Sequence, residues 1–164
     1  MPTPTPSTGQ APLPVGTPAP AFNLPATGGQ TLKLSDFTGK NLVIVFYTKD
    51  QTPGCTRQLC ALRDDKGAFD ALNTAILASN PGSLKSHENF AARQGYPFPI
   101  LVDAARSMAT DYQALKEAGG QSIQRTVYIV DAQGVIRYAR QGLPNNSELL
   151  DAIRAFSTAS FPVS

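Results

Sequence analysis

LVIVFY, residues 42 to 47, is apolar without interruption. A half-buried strand would alternate polar and apolar residues, so this one reads as a central strand covered on both faces. After a short polar stretch the turn residues Thr52, Pro53 and Gly54 follow. A helix-spaced run then begins at Cys55 and continues through Leu59, Leu62, Phe69 and Leu72, with Gly67 placed to bend or interrupt it. A buried strand feeding a helix through a tight turn belongs to a layered α/β architecture.

The rest of the chain fits that plan. AFNL at 21 to 24 and TLKL at 31 to 34 flank ATGGQ and read as an N-terminal β-hairpin. TAILAS at 74 to 79 and FPILV at 98 to 102 are further strands. Between them Pro81 opens a helix lined by Leu84, Phe90 and Ala91 and ended by Gly95; His87 falls on its polar face and reads as surface. A shorter helix is expected over 105 to 116. TVYIV at 126 to 130 and VIRYAR at 135 to 140 form a second hairpin across DAQG, and Asn146 or Ser147 caps a closing helix carrying Leu149, Ile153 and Phe156. The expected fold class is α/β: a central mixed sheet flanked by helices, with a hairpin at its start.

Seven of the 14 prolines lie in the first 20 residues, among Thr, Ser, Gly and Ala, a composition that supplies neither ladder donors nor a buried face. Residues 1 to 14 are therefore expected to be a flexible tail and 15 to 164 one folded domain, a size that supports a single core. With 41% hydrophobic residues, a formal net charge of +2 and no Lys/Arg run, the chain reads as neither disordered nor a nucleic-acid binder. Its longest apolar stretch is too short to span a bilayer, and the first residues lack an apolar signal core. Two cysteines are too few for a secreted disulfide scaffold, so a cytoplasmic location is expected. One histidine makes a zinc site hard to assemble.

The two cysteines carry the chemistry. At the start of a helix, unpaired N–H groups and the positive end of the dipole favour a thiolate, lowering a cysteine pKa from its ordinary value of about 8.5. Only about 3% of an unperturbed thiol is ionised at pH 7, so this placement makes Cys55 the expected nucleophile. Cys60 lies five residues on, a rise of about 7.5 Å and about 140° around the helix, which separates the Cα atoms by about 8 to 9 Å. A disulfide needs less than about 7 Å, so the pair bonds only if the turn between them unwinds. That geometry favours a redox switch over a static crosslink. Thr52, Pro53 and Gly54 add a hydroxyl and a rigid exposed backbone beside Cys55.

FYTKDQTPGCTRQLC, together with SLKSHENFAARQGYPFPILVD at 83 to 103 and QRTVYIVDAQG at 124 to 134, resembles the peroxiredoxins, in particular the peroxiredoxin Q or bacterioferritin comigratory protein subfamily, over about residues 15 to 160. The resemblance implies a thioredoxin-like fold and a monomeric thiol peroxidase that reduces hydrogen peroxide and organic hydroperoxides without cofactor or metal. It implies that Cys55 is the peroxidatic cysteine and Cys60 the resolving one, joined in an intramolecular disulfide that thioredoxin reduces. Thr52 and Arg125 would line the peroxide pocket, and the backbone near Pro53 and Gly54 would contact substrate. Two features depart from the family: Thr48 stands where proline is common, and ALKEAGGQSIQ replaces a longer loop that often carries tryptophan. The same cysteine pair also allows a thiol–disulfide oxidoreductase or redox sensor that passes oxidation to a protein partner, although such enzymes usually use C-x-x-C.

Overall fold

The computed structural model describes residues 12–48, 53–116, 122–142 and 144–160, and for 53–56, 58 and 157–160 only the course of the helix. The chain runs β1 (Asn23–Ala26), β2 (Gln30–Lys33), a 3-10 turn (Leu34–Phe37), β3 (Asn41–Phe46), α1 (Pro53–Asp64), α2 (Lys66–Ala71), β4 (Thr74–Asn80), α3 (Leu84–Gln94), β5 (Ile100–Val102), α4 (Ser107–Asp111), β6 (Thr126–Val130), β7 (Ile136–Gln141) and α5 (Asn146–Ser160). The strands form one mixed sheet in the order β2-β1-β5-β4-β3-β6-β7. Strands β3, β4 and β5 are parallel, while β6, β7 and β1 run against their neighbours.

Every residue of β3 is buried, as its unbroken apolar run requires. Its side chains alternate between two cores. Val43 and Val45, with Tyr47 just past the strand, pack with Leu59, Leu62, Phe69, Phe90, Leu149 and Ile153. Leu42, Ile44 and Phe46 pack on the other face with Met108, Tyr112, Leu115 and Tyr128.

Several boundaries differ from expectation. The first hairpin turns at Thr27–Gly29, where Gly28 and Gly29 adopt φ of +88° and +70°, and it pairs Ala26 with Gln30. The expected strand at 98 to 102 keeps only Ile100–Val102, because Pro97 and Pro99 have no N–H to donate. The break near Gly67 falls earlier, at Asp65, whose carbonyl accepts from Ala68. Helix α3 begins at Leu84 rather than Pro81, capped by Ser83, whose hydroxyl accepts from the Ser86 N–H. Leu84 is exposed, and the buried stripe is His87 and Phe90. Helix α4 is shorter than 105 to 116, held by Asp103, whose Oδ1 and Oδ2 accept from the Met108 and Ala109 N–H groups. Asn145, not Asn146 or Ser147, caps α5, its Oδ1 accepting from the Glu148 N–H at 2.9 Å.

Of the expected tail, residues 1–11 lie outside the described residues. Leu13 donates its N–H to Tyr128 Oη at 2.9 Å and packs partly buried against the second core. Among the described residues no helix is long and apolar enough to cross a membrane.

Candidate active site

The chain leaves β3 at Phe46, passes Tyr47 and Thr48, and enters α1 at Pro53. Proline suits the first helical position, where its missing N–H costs nothing and its fixed φ is already helical. Cys55 is thus the third residue of α1, in the turn where N–H groups have no partner within the helix. Cys60 is the eighth residue of the same helix, so the structure holds the two cysteines in one wound segment. Thr52 lies outside the described residues. Thr48 is partly buried in the bend that follows β3.

Arg125 arrives from the opposite direction. Thr126 is paired with Phe46 across the antiparallel β3–β6 ladder, which puts Arg125 at the end of the sheet where β3 delivers the chain to α1. It is partly buried, and its carbonyl accepts from the Gly142 N–H at 2.9 Å. Arg57, by contrast, is exposed on α1. Sheet topology therefore brings Arg125 to the end of the molecule at which the Cys55 helix begins, across 70 residues of sequence.

The Cys60 end of α1 is anchored. Leu59 and Leu62 on either side of it are fully buried. Arg63 donates through Nη1 to the Gln94 carbonyl at the end of α3, and Asn146 Nδ2 donates to the Ala61 carbonyl at 2.8 Å from the start of α5. The free Cys60 thiol is partly buried, 3.5 Å from both Gln94 Oε1 and Tyr96 Oη.

Beneath the strand exit lies a buried network that sequence reasoning missed. His87, expected at the surface, has no exposed area. Its Nε2 donates to the Asn80 carbonyl at 3.1 Å, and its Nδ1 lies 3.5 Å from Tyr47 Oη. Asn80 in turn donates through Nδ2 to the Tyr47 carbonyl at 2.8 Å and accepts the Gly82 N–H at Oδ1. The signal was present: His87 sits three residues before Phe90, a spacing that puts both on the same packed face of a helix. Among the described residues no cluster of three or more His, Cys, Asp or Glu is placed to hold a metal ion.

The model of the AhpC/TSA family matches residues 15–139. The chain belongs to the AhpC/TSA family, in its peroxiredoxin Q branch. It is similar to peroxiredoxin Bcp of Bacillus subtilis (strain 168), at 37% identity over 125 residues covering 73% of this chain and 80% of that protein. To the putative peroxiredoxin bcp of Coxiella burnetii it is 33% identical, over 74% of this chain and 84% of that one. A solved structure of Xanthomonas campestris bacterioferritin comigratory protein, studied for its alkyl peroxide reduction activity, superposes with a TM-score of 0.78 at 30% identity, covering 83% of this chain and 92% of that chain. The sheet and its flanking helices are accordingly those of a thioredoxin-like peroxiredoxin, and the protein is a thiol peroxidase.

Proposed function

We propose that this peroxiredoxin works through Cys55 as peroxidatic and Cys60 as resolving cysteine within one chain. The supporting observation is the position of Cys55 in the first turn of α1, five residues before a free Cys60 on the same helix. The Cys55 thiolate attacks the terminal oxygen of a hydroperoxide; a sulfur–oxygen bond forms, the O–O bond breaks, and the alkoxide or hydroxide leaves and takes a proton from water. Backbone N–H groups at Pro53–Cys55 can serve this developing charge only through Gly54 and Cys55, since Pro53 has none. Thr52 and Arg125 supply the side-chain donors, with hydrogen peroxide and small organic hydroperoxides as substrates.

Cys60 then displaces hydroxide from the Cys55 sulfenic acid, giving the disulfide and one water. Thioredoxin, or a dithiol protein like it, returns both sulfurs to thiols by exchange. The enzyme acts as a monomer, because both cysteines of the cycle lie in one helix and need no second copy, and in the cytoplasm, the reducing compartment that keeps a two-cysteine chain's thiols for chemistry.

The test is peroxide consumption by the reduced protein coupled to thioredoxin. Wild type should turn over, Cys55→Ser should not react, and Cys60→Ser should form a persistent sulfenic acid but fail to cycle. If Cys60→Ser cycles as wild type does, the resolving assignment is wrong. Fast disulfide exchange with partner proteins but negligible peroxide consumption would favour an oxidoreductase instead.

A further inference from the structure

The surroundings of Cys60 are more specific than a resolving thiol requires for packing. Its S–H has an acceptor in Gln94 Oε1 at 3.5 Å, and the Tyr96 hydroxyl, also at 3.5 Å, lies within hydrogen-bond distance of the same sulfur. The Tyr96 ring is held rigidly: it stacks on Phe98 at 5.1 Å and 14°, and Phe90 meets it edge-on at 5.2 Å. The tyrosine is 9% exposed. Gln94 is fixed from its other side, its carbonyl accepting from Arg63 one turn beyond Cys60. Residues from the end of α3 and from the loop after it thus converge on one sulfur of α1.

These contacts bear on how the disulfide closes. The two cysteines cannot bond within an intact helix, so one end of α1 must give way. Beyond Cys60 the helix is tied down by Leu62, by Arg63 on Gln94 and by Asn146 on Ala61, and just before it by Leu59. Unwinding N-terminal to Leu59 breaks none of these ties, so it is the less costly route. Cys60 then stays where it is, and Cys55 is carried to it.

We propose that Tyr96 is a catalytic residue of the resolving step, donating its hydroxyl to Cys60 Sγ while that sulfur, fixed in place, receives Cys55. This rests on Cys60 being the resolving cysteine. In the step the Cys60 S–H and the Cys55 S–OH give an S–S bond and water: the S–O bond breaks, and the thiol proton leaves with the departing hydroxide. As that proton leaves, negative charge grows on Cys60 Sγ, and a hydroxyl 3.5 Å away that donates to it is then worth more than in the ground state. Gln94 Oε1, an acceptor, cannot serve that charge.

The experiment uses Tyr96→Phe in the full chain, which keeps the packed ring and removes only the hydroxyl. One equivalent of hydrogen peroxide is added, and sulfenic acid and disulfide are followed by rapid quench and mass spectrometry. Cys55 oxidation should stay within about twofold of wild type while disulfide formation slows about tenfold, the loss of one donor to a developing charge. In steady state with thioredoxin, kcat should fall while kcat/KM for peroxide holds, a split that a general loosening of the fold would not produce. The longer-lived sulfenic acid should be driven to sulfinic acid at lower peroxide concentrations. A second variant with 3-fluorotyrosine at position 96, a stronger donor of nearly the same shape, should resolve faster than wild type at pH 6.5. Unchanged disulfide formation in both variants overturns the role of Tyr96 and leaves the cysteine assignments standing. A wild-type protein that oxidises Cys55 but never forms the Cys55–Cys60 disulfide overturns both.

Discussion

Removing the His87 ring should loosen the end of β3 that feeds the active site. His87→Ala deletes a fully buried ring, its hydrogen bond to the Asn80 carbonyl and its contact with Tyr47 Oη. The Asn80 carbonyl keeps the Asp103 N–H at 3.1 Å, so the polar loss is about 1 to 2 kcal/mol. The cavity adds about 1 to 2 kcal/mol more, for a total of about 2 to 4 kcal/mol. In a domain of this size that lowers Tm by roughly 5 to 15 °C. Gly82 supplies an independent check, because a Cβ there would lie 3.0 Å from both His87 Cε1 and Asn80 Oδ1. Gly82→Ala should therefore cost about 1 to 3 kcal/mol in the wild-type background. With the His87 ring gone, half of that clash disappears, so the double variant should show a coupling of about 1 kcal/mol. Urea unfolding followed by circular dichroism reads all four proteins. A His87→Ala cost below about 0.5 kcal/mol, or strict additivity with Gly82→Ala, would refute the description of His87 as a packed, hydrogen-bonded member of this network.

Other outcomes follow from single buried groups. Asp131 is pulled upward by burial, but the Arg137 guanidinium at 2.7 Å and the Val135 and Gln133 N–H groups together hold it below the ordinary carboxylate value of 3.8. Its folded pKa is depressed, so its stabilisation is present above about pH 4 and is lost as the pH falls through the folded value. Asp131→Asn should flatten the acid limb of a stability–pH profile and cost about 1 to 3 kcal/mol at pH 7. On the alkaline side, burial pushes the Tyr128 phenol up from 10.0 to about 12, partly offset by the Leu13 N–H. Its contribution should be complete below pH 10 and should decline as the pH rises toward 12, a decline absent from Tyr128→Phe. Asp103→Ala, which strips two N–H groups at the start of α4 of their acceptor, should cost about 1 to 3 kcal/mol by urea unfolding.

The sequence made the core of this fold legible where one signal dominated. The unbroken apolar run of β3 and the helix-spaced run from Cys55 each had one physical reading, and the sheet with its flanking helices followed from them, although α1 starts two residues earlier, at Pro53, which the sequence placed in the turn. Boundaries set by tertiary contacts were less visible. Asn145 rather than its neighbours caps α5 because Asn146 is committed to Ala61 and Asp65, 81 to 85 residues away. Hydropathy sent His87 to the surface, although its spacing with Phe90 put it on the packed face, where a polar ring is tolerated because the Asn80 carbonyl receives it. Of the site, the placement of Cys55 and Cys60 on one helix was readable from spacing. Arg125 was reachable only through family resemblance, since its approach depends on the β3–β6 register. The Gln94 and Tyr96 contacts on Cys60 join segments 34 and 36 residues apart and left no trace in local pattern.

The mechanism stands on a helix that must open before its two sulfurs can meet. Hydrogen exchange of the α1 amides, compared between the reduced protein and protein oxidised with one equivalent of peroxide, measures this directly. Amides 57 to 61 should be protected when reduced and should exchange many-fold faster once the disulfide has formed, while Leu62 through Asp64 stay protected. A Cys55–Cys60 disulfide whose α1 amides keep their full protection would contradict the account.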